Sequence, residues 1–383
     1  MRLPTRFRTL FVAALATVGV AAPLSPASAA PPARTAVIVQ LVAGANPVSE
    51  ARAAAGGDGR VSHVFHSALQ GFSAELSDRA IAALRHNPRV ALIEPDGIVT
   101  AQVDQATPPW GLDRIDQRAL PLNKKYSYPT VAGGGVTAYV VDTGIAADVA
   151  DLAGRVGAGT SFIADGNGTT DCNGHGTHVA GTIAGTTYGV AKQATVVPVR
   201  VLDCSGNGTW SGVVAGLDWV ASDHQAGAPA VANMSLGGGA SATVDAAVQR
   251  VISDGVTVAV AAGNSSTNAC TTSPARVAAA LTVGATDSTD RRASFSNYGS
   301  CLDLFAPGVG ITSDWLTGTN TISGTSMATP HVTGAAAVLL SRNPGTPLSP
   351  SAVASSLVGN ATTGVVKVAG SRSPNRLLYS PAS

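Results

Sequence analysis

The sequence has little charge and few aromatic side chains. Charged residues make up 12% of its 383 positions and aromatic residues 4%, with 24 Lys and Arg against 23 Asp and Glu. A net charge of +1 provides no basic surface for coating a nucleic acid, so we expect no nucleic-acid partner. The 43 Gly and 22 Pro follow no fixed period, which excludes a collagen-like chain or a repeat array.

Long uninterrupted apolar runs are also missing from the interior of the chain. A membrane-spanning helix needs about 20 such residues, and no internal segment supplies them. Hydrophobic residues nevertheless form 45% of the sequence, which is enough for a sizeable core. The length predicts two or three folded units, and we expect a monomer without a membrane partner.

The first 29 residues have the pattern of a secretory signal peptide. Arg2, Arg6 and Arg8 precede the apolar run 10–22, and the small-residue triplet 27–29 follows. The run is too short to span a bilayer comfortably, and the triplet predicts cleavage after its last residue. We therefore expect residues 1–29 to be a signal peptide and the protein to be secreted and extracellular.

The four cysteines are compatible with that compartment, because oxidising surroundings permit disulfide bonds. Cys172, Cys204, Cys270 and Cys301 are an even number without a C-x-x-C pair, so two disulfides are favoured over a metal cluster. Four cysteines allow three connectivities. We favour Cys172 with Cys204 and Cys270 with Cys301, since each pair closes a loop of about 30 residues and stabilises the fold by about 3 to 4 kcal/mol.

Residues 30–100 are predicted to form a small α+β unit. After a Pro-containing linker, apolar and β-branched runs predict strands at 35–42, 61–67, 70–76 and 90–94, and helical patterns occupy 47–55 and 77–85. The resulting order β-α-β-β-α-β is that of a ferredoxin-like module. The polar segment 102–109, which ends in proline, is expected to be a linker.

Residues 101–383 are predicted to form one α/β domain. Short apolar runs alternate with helical patterns, and they lie at 136–141, 194–201, 229–234, 256–261 and 280–283. This alternation favours a parallel sheet with helices on both faces. In such a sheet the functional groups lie at the carboxyl ends of the strands.

Three polar clusters interrupt the apolar segments of this domain. Asp142 ends a predicted strand, and His175 lies at the start of a small-residue helical pattern. Ser326 precedes a strongly apolar helix at 332–340, with Pro330 in the first turn, where proline costs no hydrogen bond. A carboxylate, an imidazole and a hydroxyl, each at the end of its own element, are the groups of a catalytic triad.

Each of these residues also has a simpler structural interpretation. An aspartate after a strand commonly makes turn hydrogen bonds, and a serine before a helix commonly caps it. His175 and His178 form an H-x-x-H pair, but no acidic third ligand is nearby and the H-E-x-x-H pattern of zinc proteases is absent. For His178 a buried structural role is favoured. The combination of carboxylate, imidazole and hydroxyl favours nucleophilic catalysis.

The segments around the three clusters resemble the active-site motifs of the subtilase family. They are VVDTGI at Asp142, NGHGTHVAGTIAG around His175 and SGTSMATPHV around Ser326, and their spacing of 33 and then 151 residues also fits that family. The similarity extends through WGLDRIDQR, VANMSLGGG and SFSNYGSC and is strongest for the proteinase K and aqualysin branch. The resemblance implies a subtilisin-like parallel sheet flanked by helices, and a serine endopeptidase.

The resemblance also implies a role for each motif residue. Ser326 would attack the scissile carbonyl, His175 would accept its proton, and Asp142 would orient the imidazole. The side-chain donor of the family's oxyanion hole corresponds to Asn264, with the backbone N–H of Ser326 as the second donor. The family implies no catalytic cofactor.

In this family a peptide substrate binds as a strand between two backbone edges. These edges correspond to Gly206, Asn207 and Gly208 on one side and to Ser235, Leu236 and Gly237 on the other. Neither edge contains an acidic residue, and neither does the run 261–263. We therefore expect protein and peptide substrates with an apolar or aromatic residue at the cleaved position.

A structural calcium ion is implied as well. In the proteinase K branch a tight site uses backbone carbonyls and one carboxylate, which correspond to Ala278, Ala280 and Asp303. Oxygen ligands of this kind suit Ca²⁺.

The segment 30–100 resembles the inhibitory propeptide of the same family, which also acts as a folding chaperone. The runs HSALQGFSAELSD and ALIEPD carry this similarity. We expect the precursor to cleave itself near Thr100, between Thr100 and Ala101 or a few residues later. The propeptide is then expected to act as an inhibitor, with its tail in the active site as a product.

Two other functions are compatible with parts of the sequence. A subtilase that binds peptides without cleaving them would normally lack a triad residue, and here all three are present. A dinucleotide-binding enzyme would use the glycines at 133–135 or 237–239, but neither run forms G-x-G-x-x-G between a strand and a helix. We therefore predict a secreted serine endopeptidase of broad specificity.

Overall fold

The computed structural model describes residues 34–56, 59–67, 69–96, 102–342 and 348–382. The predicted signal peptide and the predicted cleavage site at Thr100 and Ala101 lie outside these residues. The chain divides into two compact units, with the boundary after Gly97. None of the helices in the described part of the chain is long and apolar enough to cross a bilayer.

The first unit is an antiparallel sheet with two helices. Its elements are β1 (Thr35–Leu41), α1 (Pro47–Ala55), β2 (Arg60–Phe65), β3 (Gly71–Leu76), α2 (Asp78–Arg85) and β4 (Val90–Pro95), and the strand order is β2-β3-β1-β4. Val39 of β1 and Phe72 of β3 pack with Ala51 of α1 and Ile81 of α2 in one buried cluster. The predicted ferredoxin-like order β-α-β-β-α-β is confirmed.

Side-chain caps determine where the two helices of this unit begin. The Asn46 carbonyl oxygen Oδ1 accepts hydrogen bonds from the N–H groups of Val48 and Ser49, at 3.0 and 3.2 Å. The Ser77 hydroxyl accepts one from the N–H of Ala80 at 3.3 Å. Each cap satisfies backbone donors that have no partner inside the first turn of a helix.

The second unit is built on a large sheet. Its elements are β5 (Gln102–Ala106), α3 (Trp110–Ile115), β6 (Lys125–Pro129), β7 (Thr137–Asp142), β8 (Thr160–Ser161), α4 (His175–Ala184), β9 (Thr195–Arg200), α5 (Trp210–Asp223), β10 (Ala230–Met234), β11 (Gly238–Gly239), α6 (Ala242–Ser253), β12 (Thr257–Ala261), β13 (Thr272–Ser273), β14 (Leu281–Thr286), β15 (Leu304–Pro307), β16 (Ile311–Asp314), β17 (Thr319–Ile322), α7 (Thr325–Ser341), α8 (Pro350–Asn360), β18 (Thr362–Thr363) and β19 (Arg376–Leu377). Short 3₁₀ turns lie at Ala150–Leu152 and Ala269–Thr271.

The main sheet has the strand order β18-β19-β15-β14-β12-β10-β7-β9-β8, and its neighbouring pairs are parallel except for β18 with β19. Helices cover both faces. Along β7, Ala138 and Val140 point into a core shared with α4, α7 and α8, whereas Tyr139 and Val141 point into a core shared with α5 and α6. The predicted parallel sheet with helices on both faces is confirmed, and burial on both faces explains why its strands are continuously apolar.

One predicted linker is wrong, because the start of segment 102–109 forms the strand β5. This strand pairs antiparallel with β6, from Gln102 opposite Pro129 to Ala106 opposite Lys125. The Ser127 hydroxyl of β6 donates to the Asp104 carboxylate at 2.7 Å. Three of its five residues are polar, so the strand lacks the apolar alternation by which strands are recognised.

Asp314 at the end of β16 carries a buried carboxyl group at the second unit's interior. Its exposure is 3%, and Oδ2 has no hydrogen-bond partner among the described residues. Gly181 in α4 and Gly185 just after it have no side chain and so leave room for this carboxyl group and that of Asp151. A Cβ at Gly181 would lie 2.5 Å from this oxygen, and one at Gly185 would lie 2.4 Å from Asp151 Oδ2. Burial, followed by the nearby Asp151 carboxylate, raises the pKa of Asp314 to about 7, although Arg155 opposes this.

We predict that Asp314→Asn stabilises the protein more at pH 8 than at pH 5. An aspartate loses its proton near pH 4 in an unfolded chain, about three pH units below the pKa of Asp314 in the folded protein. Folding therefore takes up a proton between these values, and stability falls as pH rises through that window. Asparagine resembles the protonated carboxyl and does not titrate, so the variant avoids this loss of stability. We expect the wild type to lose about 1 to 3 kcal/mol by pH 8. Thermal unfolding of both proteins at pH 5 and 8 measures it, and an equal difference at the two pH values would contradict the prediction.

Candidate active site

The imidazole of His175 and the carboxylate of Asp142 form a hydrogen-bonded pair. Asp142, the last residue of β7, has no exposed surface, and its Oδ1 lies 2.7 Å from His175 Nδ1. An ionised carboxylate can only accept, so Nδ1–H donates and neutral His175 has an unprotonated Nε2. Burial of the imidazole opposes its charged form, but the Asp142 carboxylate outweighs burial and the pKa of His175 is raised. The ring therefore has the arrangement of a general base.

His175 is the first residue of α4, and the chain reaches it through a turn that favours glycine. Gly174 has a φ of +106°, and a Cβ there would lie 2.3 Å from the ring of Trp315. The N–H of His175 donates to the Asn173 side chain at 3.2 Å. This turn brings the start of α4 against the end of β7.

Ser326 is the second residue of α7. The helix begins at Thr325, so Pro330 lies inside the helix and not, as predicted, in its first turn. Proline has no N–H to donate to the carbonyl four positions earlier, which is that of Ser326. The Ser235 hydroxyl donates to this carbonyl instead, at 2.8 Å, and the Ser326 hydroxyl donates to the Ser235 carbonyl at 3.1 Å. The prediction was wrong because the helix begins seven residues, or about two turns, before its apolar pattern at 332–340.

The hydroxyl of Ser326 is not bonded to His175 in this structure. Within the described residues its hydrogen bond goes to the Ser235 carbonyl, and none joins it to the imidazole. Rotation about the Cα–Cβ bond redirects a serine hydroxyl, and catalytic hydrogen bonds often form only once substrate is bound. The structure thus brings Asp142 and His175 together but leaves the third group of the predicted triad turned towards Ser235.

Asn264 lies beside the start of α7 with its amide in a defined orientation. Its Oδ1 accepts from the backbone N–H and the hydroxyl of Thr325, at 2.8 and 2.9 Å. Because Oδ1 is engaged in this way, Nδ2 is the atom that remains to donate. The turn that carries Asn264 is itself held by Asn297, which donates to the Ala262 carbonyl at 2.7 Å and accepts from the N–H of Ser265 at 3.1 Å.

Two cavities share the segment 235–239 as a common wall. One has a volume of about 610 Å³ and contains His175 together with Trp210 and the segment 205–209. The other has a volume of about 460 Å³ and contains Ser326 and Asn264. The predicted substrate edge 206–208 lines the first cavity, and the edge 235–237 lines both.

The cavity at Ser326 is lined without any ionisable side chain. Its walls are formed by 235–239, 261–265, 272–273, Asn297, Thr325 and Ser326. Glycines and alanines leave the space open, and the polar groups are amides, hydroxyls and backbone. An apolar side chain could enter this cavity without meeting a buried charge.

Two disulfides lie close to the cavity walls. The structure joins Cys172 to Cys204 and Cys270 to Cys301, the pairs favoured from the sequence. The first bond joins the segment before His175 to the segment before the edge 206–208. Asn173 reinforces this link, since its Nδ2 donates to the Cys204 carbonyl at 3.0 Å.

The residues expected to hold calcium have suitable chemistry. The N–H of Thr282 donates to Asp303 Oδ2 at 2.8 Å, which leaves Oδ1 without a hydrogen-bond partner in the described part of the chain. Burial raises the pKa of Asp303 to about 6, although the Thr282 hydrogen bond and Arg376 oppose this. A divalent cation would compensate such a buried carboxylate, and the carbonyl groups of Ala278 and Ala280 precede Thr282 in the chain.

His178 does not pair with His175 around a metal. Its Nε2 lies 3.0 Å from the Ile311 carbonyl, and its ring packs edge-on against Trp315. Burial lowers the pKa of His178 to about 4, so the ring is neutral. This is the buried structural role favoured from the sequence.

One cluster of potential metal ligands was found elsewhere in the described residues, and it consists of Asp165, Cys172 and Cys204. The two sulfur atoms are joined in a disulfide. They are therefore not thiolates and cannot act as thiolate ligands.

Several residues that line or support the site were not predicted from the sequence. Trp210 lines the larger cavity, and Thr272 and Ser273 line the smaller one. Asp171 and Asn297 are buried and bind the loops that carry His175 and Asn264. Asp171 lies only four positions before His175, and Asn297 lies in the SFSNYGSC run, so their proximity to motif segments was the available signal.

Two known protein families match segments of the chain. Residues 133–377 match the subtilase family, which is more than half of the chain. The chain belongs to the subtilase family. Residues 37–102 of this subtilase match a second family, peptidase inhibitor I9.

This subtilase has close relatives among named proteinases. It is 61% identical over 325 residues to an extracellular serine proteinase of Thermus sp. strain Rt41A, covering 84% of this chain and 78% of that protein. It is 46% identical over 329 residues to the subtilisin-like serine protease AsES of Sarocladium strictum, covering 84% and 83%. A crystal structure of a cold-adapted subtilisin-like serine proteinase superimposes with a TM-score of 0.69 at 53% identity, covering 73% of this chain and all of that one.

These similarities confirm two predictions. The fold is subtilisin-like, and the enzyme is a subtilisin-like serine endopeptidase, a hydrolase. The inhibitor I9 match coincides with the four-stranded first unit, which agrees with the predicted propeptide.

Proposed function

We propose that this subtilase is a secreted endopeptidase that cleaves peptide bonds through Asp142, His175 and Ser326. The single observation that best supports the proposal is the 2.7 Å contact between the buried Asp142 carboxylate and His175 Nδ1. It prepares Nε2 as a base at a cavity that shares the wall 235–239 with the cavity of Ser326. The predicted roles rest on this arrangement and on the family motifs.

In the proposed reaction the Ser326 hydroxyl first turns from the Ser235 carbonyl towards His175. Its oxygen forms a bond to the scissile carbonyl carbon, while its proton passes to His175 Nε2. The imidazolium formed in this step is stabilised by the Asp142 carboxylate. That stabilisation is consistent with the raised pKa of His175.

The carbonyl oxygen of the substrate acquires negative charge in this step. Asn264 Nδ2 and the backbone N–H of Ser326 are the proposed donors to it, and the latter belongs to the first turn of α7, where N–H groups have no helical partner. Two hydrogen bonds from Thr325 hold Asn264 Oδ1, so Nδ2 is oriented before substrate arrives. Loss of one such donor typically raises the barrier by about 2.7 to 4 kcal/mol.

The tetrahedral intermediate then breaks its carbon–nitrogen bond. His175 returns the proton to the leaving amine, and the acyl group remains on Ser326. A water molecule attacks the acyl carbon in the same way, with His175 again accepting a proton. The free acid leaves, and the hydroxyl of Ser326 is restored.

The proposed substrate is an extended peptide that pairs with 206–208 on one side and 235–237 on the other. The side chain next to the cleaved bond would enter the cavity of about 460 Å³. Since no ionisable group lines it, a basic side chain would be buried there without a partner. Broad specificity with a preference for apolar and aromatic residues follows.

We also propose that residues 30–100 are the enzyme's own inhibitor and are removed by self-cleavage near Thr100 and Ala101. The inhibitor I9 match and the separate first unit support this assignment. Residues 1–29 would direct secretion, which is consistent with the named extracellular location of the Thermus relative. The mature enzyme is proposed to act as a monomer.

Calcium is the one cofactor proposed, and its role is structural. Asp303 with the carbonyls of Ala278 and Ala280 would hold it. When bound, the ion supplies positive charge beside a buried carboxylate, and it takes no part in the reaction.

We predict that Ser326→Ala is secreted with residues 30–100 still attached, whereas the wild type loses them. Self-cleavage needs the same hydroxyl as substrate hydrolysis, so one substitution abolishes both. Intact mass of the two secreted proteins measures this, and Ser351→Ala, an exposed serine of α8, is the control that should process normally. A folded Ser326→Ala protein that still cleaves peptides would overturn the proposed nucleophile.

We predict that peptides with phenylalanine directly before the cleaved bond have a kcat/KM at least about 10-fold higher than peptides with arginine at that position. The reason is the absence of a buried carboxylate from the lining of the smaller cavity. Steady-state hydrolysis of otherwise identical peptides gives the ratio. A preference for arginine would refute the proposed specificity.

We predict that chelation of calcium with EGTA destabilises the wild type but not Asp303→Asn. An ion that binds only the folded state adds about 2.7 kcal/mol when its concentration is 100 times its Kd. Thermal unfolding with and without EGTA measures the change, with Asp287→Asn as a control that keeps the response. An unchanged transition in the wild type would contradict the proposed site.

A further inference from the structure

Asp171 is a second buried carboxylate next to the Asp142–His175 pair. It lies four residues before His175, and 4% of its surface is exposed. Its Oδ1 accepts from the N–H groups of Asn173 and Gly174 and from the Thr143 hydroxyl, each at 2.9 Å. Its Oδ2 accepts from the N–H and the hydroxyl of Thr177, at 2.9 and 2.6 Å. Both oxygens are therefore fully used inside the protein.

The donors to Asp171 come from the two segments that carry the pair. Thr143 directly follows Asp142, whereas Asn173, Gly174 and Thr177 surround His175 in the chain. The carboxylate thus connects the end of β7 to the first turn of α4.

Further hydrogen bonds extend this connection. The Thr143 hydroxyl accepts from the N–H of Gly176 at 2.9 Å, and the Thr177 hydroxyl accepts from the N–H of Ala146 at 3.0 Å. The backbones approach so closely that a Cβ at Gly176 would lie 2.2 Å from the Gly144 carbonyl oxygen. A shift of either segment would break several of these bonds together.

We propose that Asp171 is a positioning residue for the reaction. It holds the end of β7 against the start of α4, so that the Asp142 carboxylate is placed to accept the hydrogen bond from His175 Nδ1. The inference rests on the proposed function, because it assumes that this pair acts on Ser326. It assigns Asp171 no contact with substrate.

Asparagine has nearly the shape of aspartate but cannot replace it here. An amide offers one accepting oxygen and one NH₂ group, which only donates. Both oxygens of Asp171 face backbone N–H groups, so in either orientation the NH₂ would oppose at least one N–H, which can only donate. Asp171→Asn therefore leaves buried donors unpaired and separates the two segments.

The charge of Asp171 provides a second readout. The ionisable groups that act on His175 are Asp142 and Asp171, and His178, whose own pKa is lowered mainly by burial, is neutral. Both carboxylates favour the imidazolium form. Loss of one negative charge would lower the pKa of His175, and the acidic limb of the kcat profile would then move to lower pH.

The test is the pH dependence of kcat for the full chain carrying Asp171→Asn, after its own maturation. Active sites are counted by titration with an irreversible serine-directed reagent, so that misfolded molecules do not enter kcat. We expect kcat per site to fall about 100-fold with KM within about threefold, since a displacement near 1 Å costs about this much. The acidic limb should move to lower pH.

Asp287→Asn is the matched control. Asp287 accepts from the N–H and hydroxyl of Thr289 and from the N–H of Arg291 in a turn outside both cavities. Its replacement should lower stability while leaving kcat per site and the acidic limb unchanged. If Asp171→Asn had the same kcat per site and the same acidic limb as the wild type, the inference would be overturned.

If Asp171→Asn yields no titratable enzyme, Thr143→Val provides the decision. It keeps both carboxylates but removes the hydroxyl between Asp171 and Gly176. We expect kcat per site to fall about 10-fold without movement of the limb. Unchanged kcat would overturn the inference. Peptide cleavage by Ser326→Ala would instead show that the proposed function has failed.

Discussion

The buried carboxylate of Asp142 sets the conditions that the surrounding loops must meet. No solvent reaches this side chain, and an isolated ion in such a place would be strongly unfavourable. It is tolerated because the N–H of Thr143 and the Nδ1–H of His175 both donate to Oδ1, at 2.8 and 2.7 Å. Oδ2 has no partner among the described residues. The buried charge of Asp142 is therefore stable only while the end of β7 and the start of α4 stay together and supply these two donors.

The parallel sheet explains how distant segments meet around this charge. Strands β10, β7 and β12 are neighbours, and their carboxyl ends lie along one edge of the sheet. Asp142 ends β7, Ser235 follows β10, and Asn264 lies three positions after β12. Helices α4 and α7 pack on the same face and begin at this edge, which adds His175 and Ser326. A single topological feature thus collects residues that are up to 184 positions apart in the chain.

The predictable parts of the molecule were those with a local pattern. Apolar runs located the central strands, and compact motifs located Asp142, His175 and Ser326. The strand β5 could not be recognised, because its stability comes from pairing with β6 rather than from an apolar face. Nor could the bonds between Ser235 and Ser326 be anticipated, since they join residues 91 positions apart. The role of Asp171 depends on a similar tertiary contact with Thr143, 28 positions away.

Pro330 places a limit on how far α7 can be strengthened by redesign. Alanine is favoured over proline in a helix interior by about 3 kcal/mol, so the exchange looks beneficial for the helix alone. However, the new N–H at position 330 would compete with the Ser235 hydroxyl for the carbonyl of Ser326. The serine would then be tied to its own helix instead of to the wall of the cleft. At this position a more stable helix and a firmly held nucleophile are opposing goals.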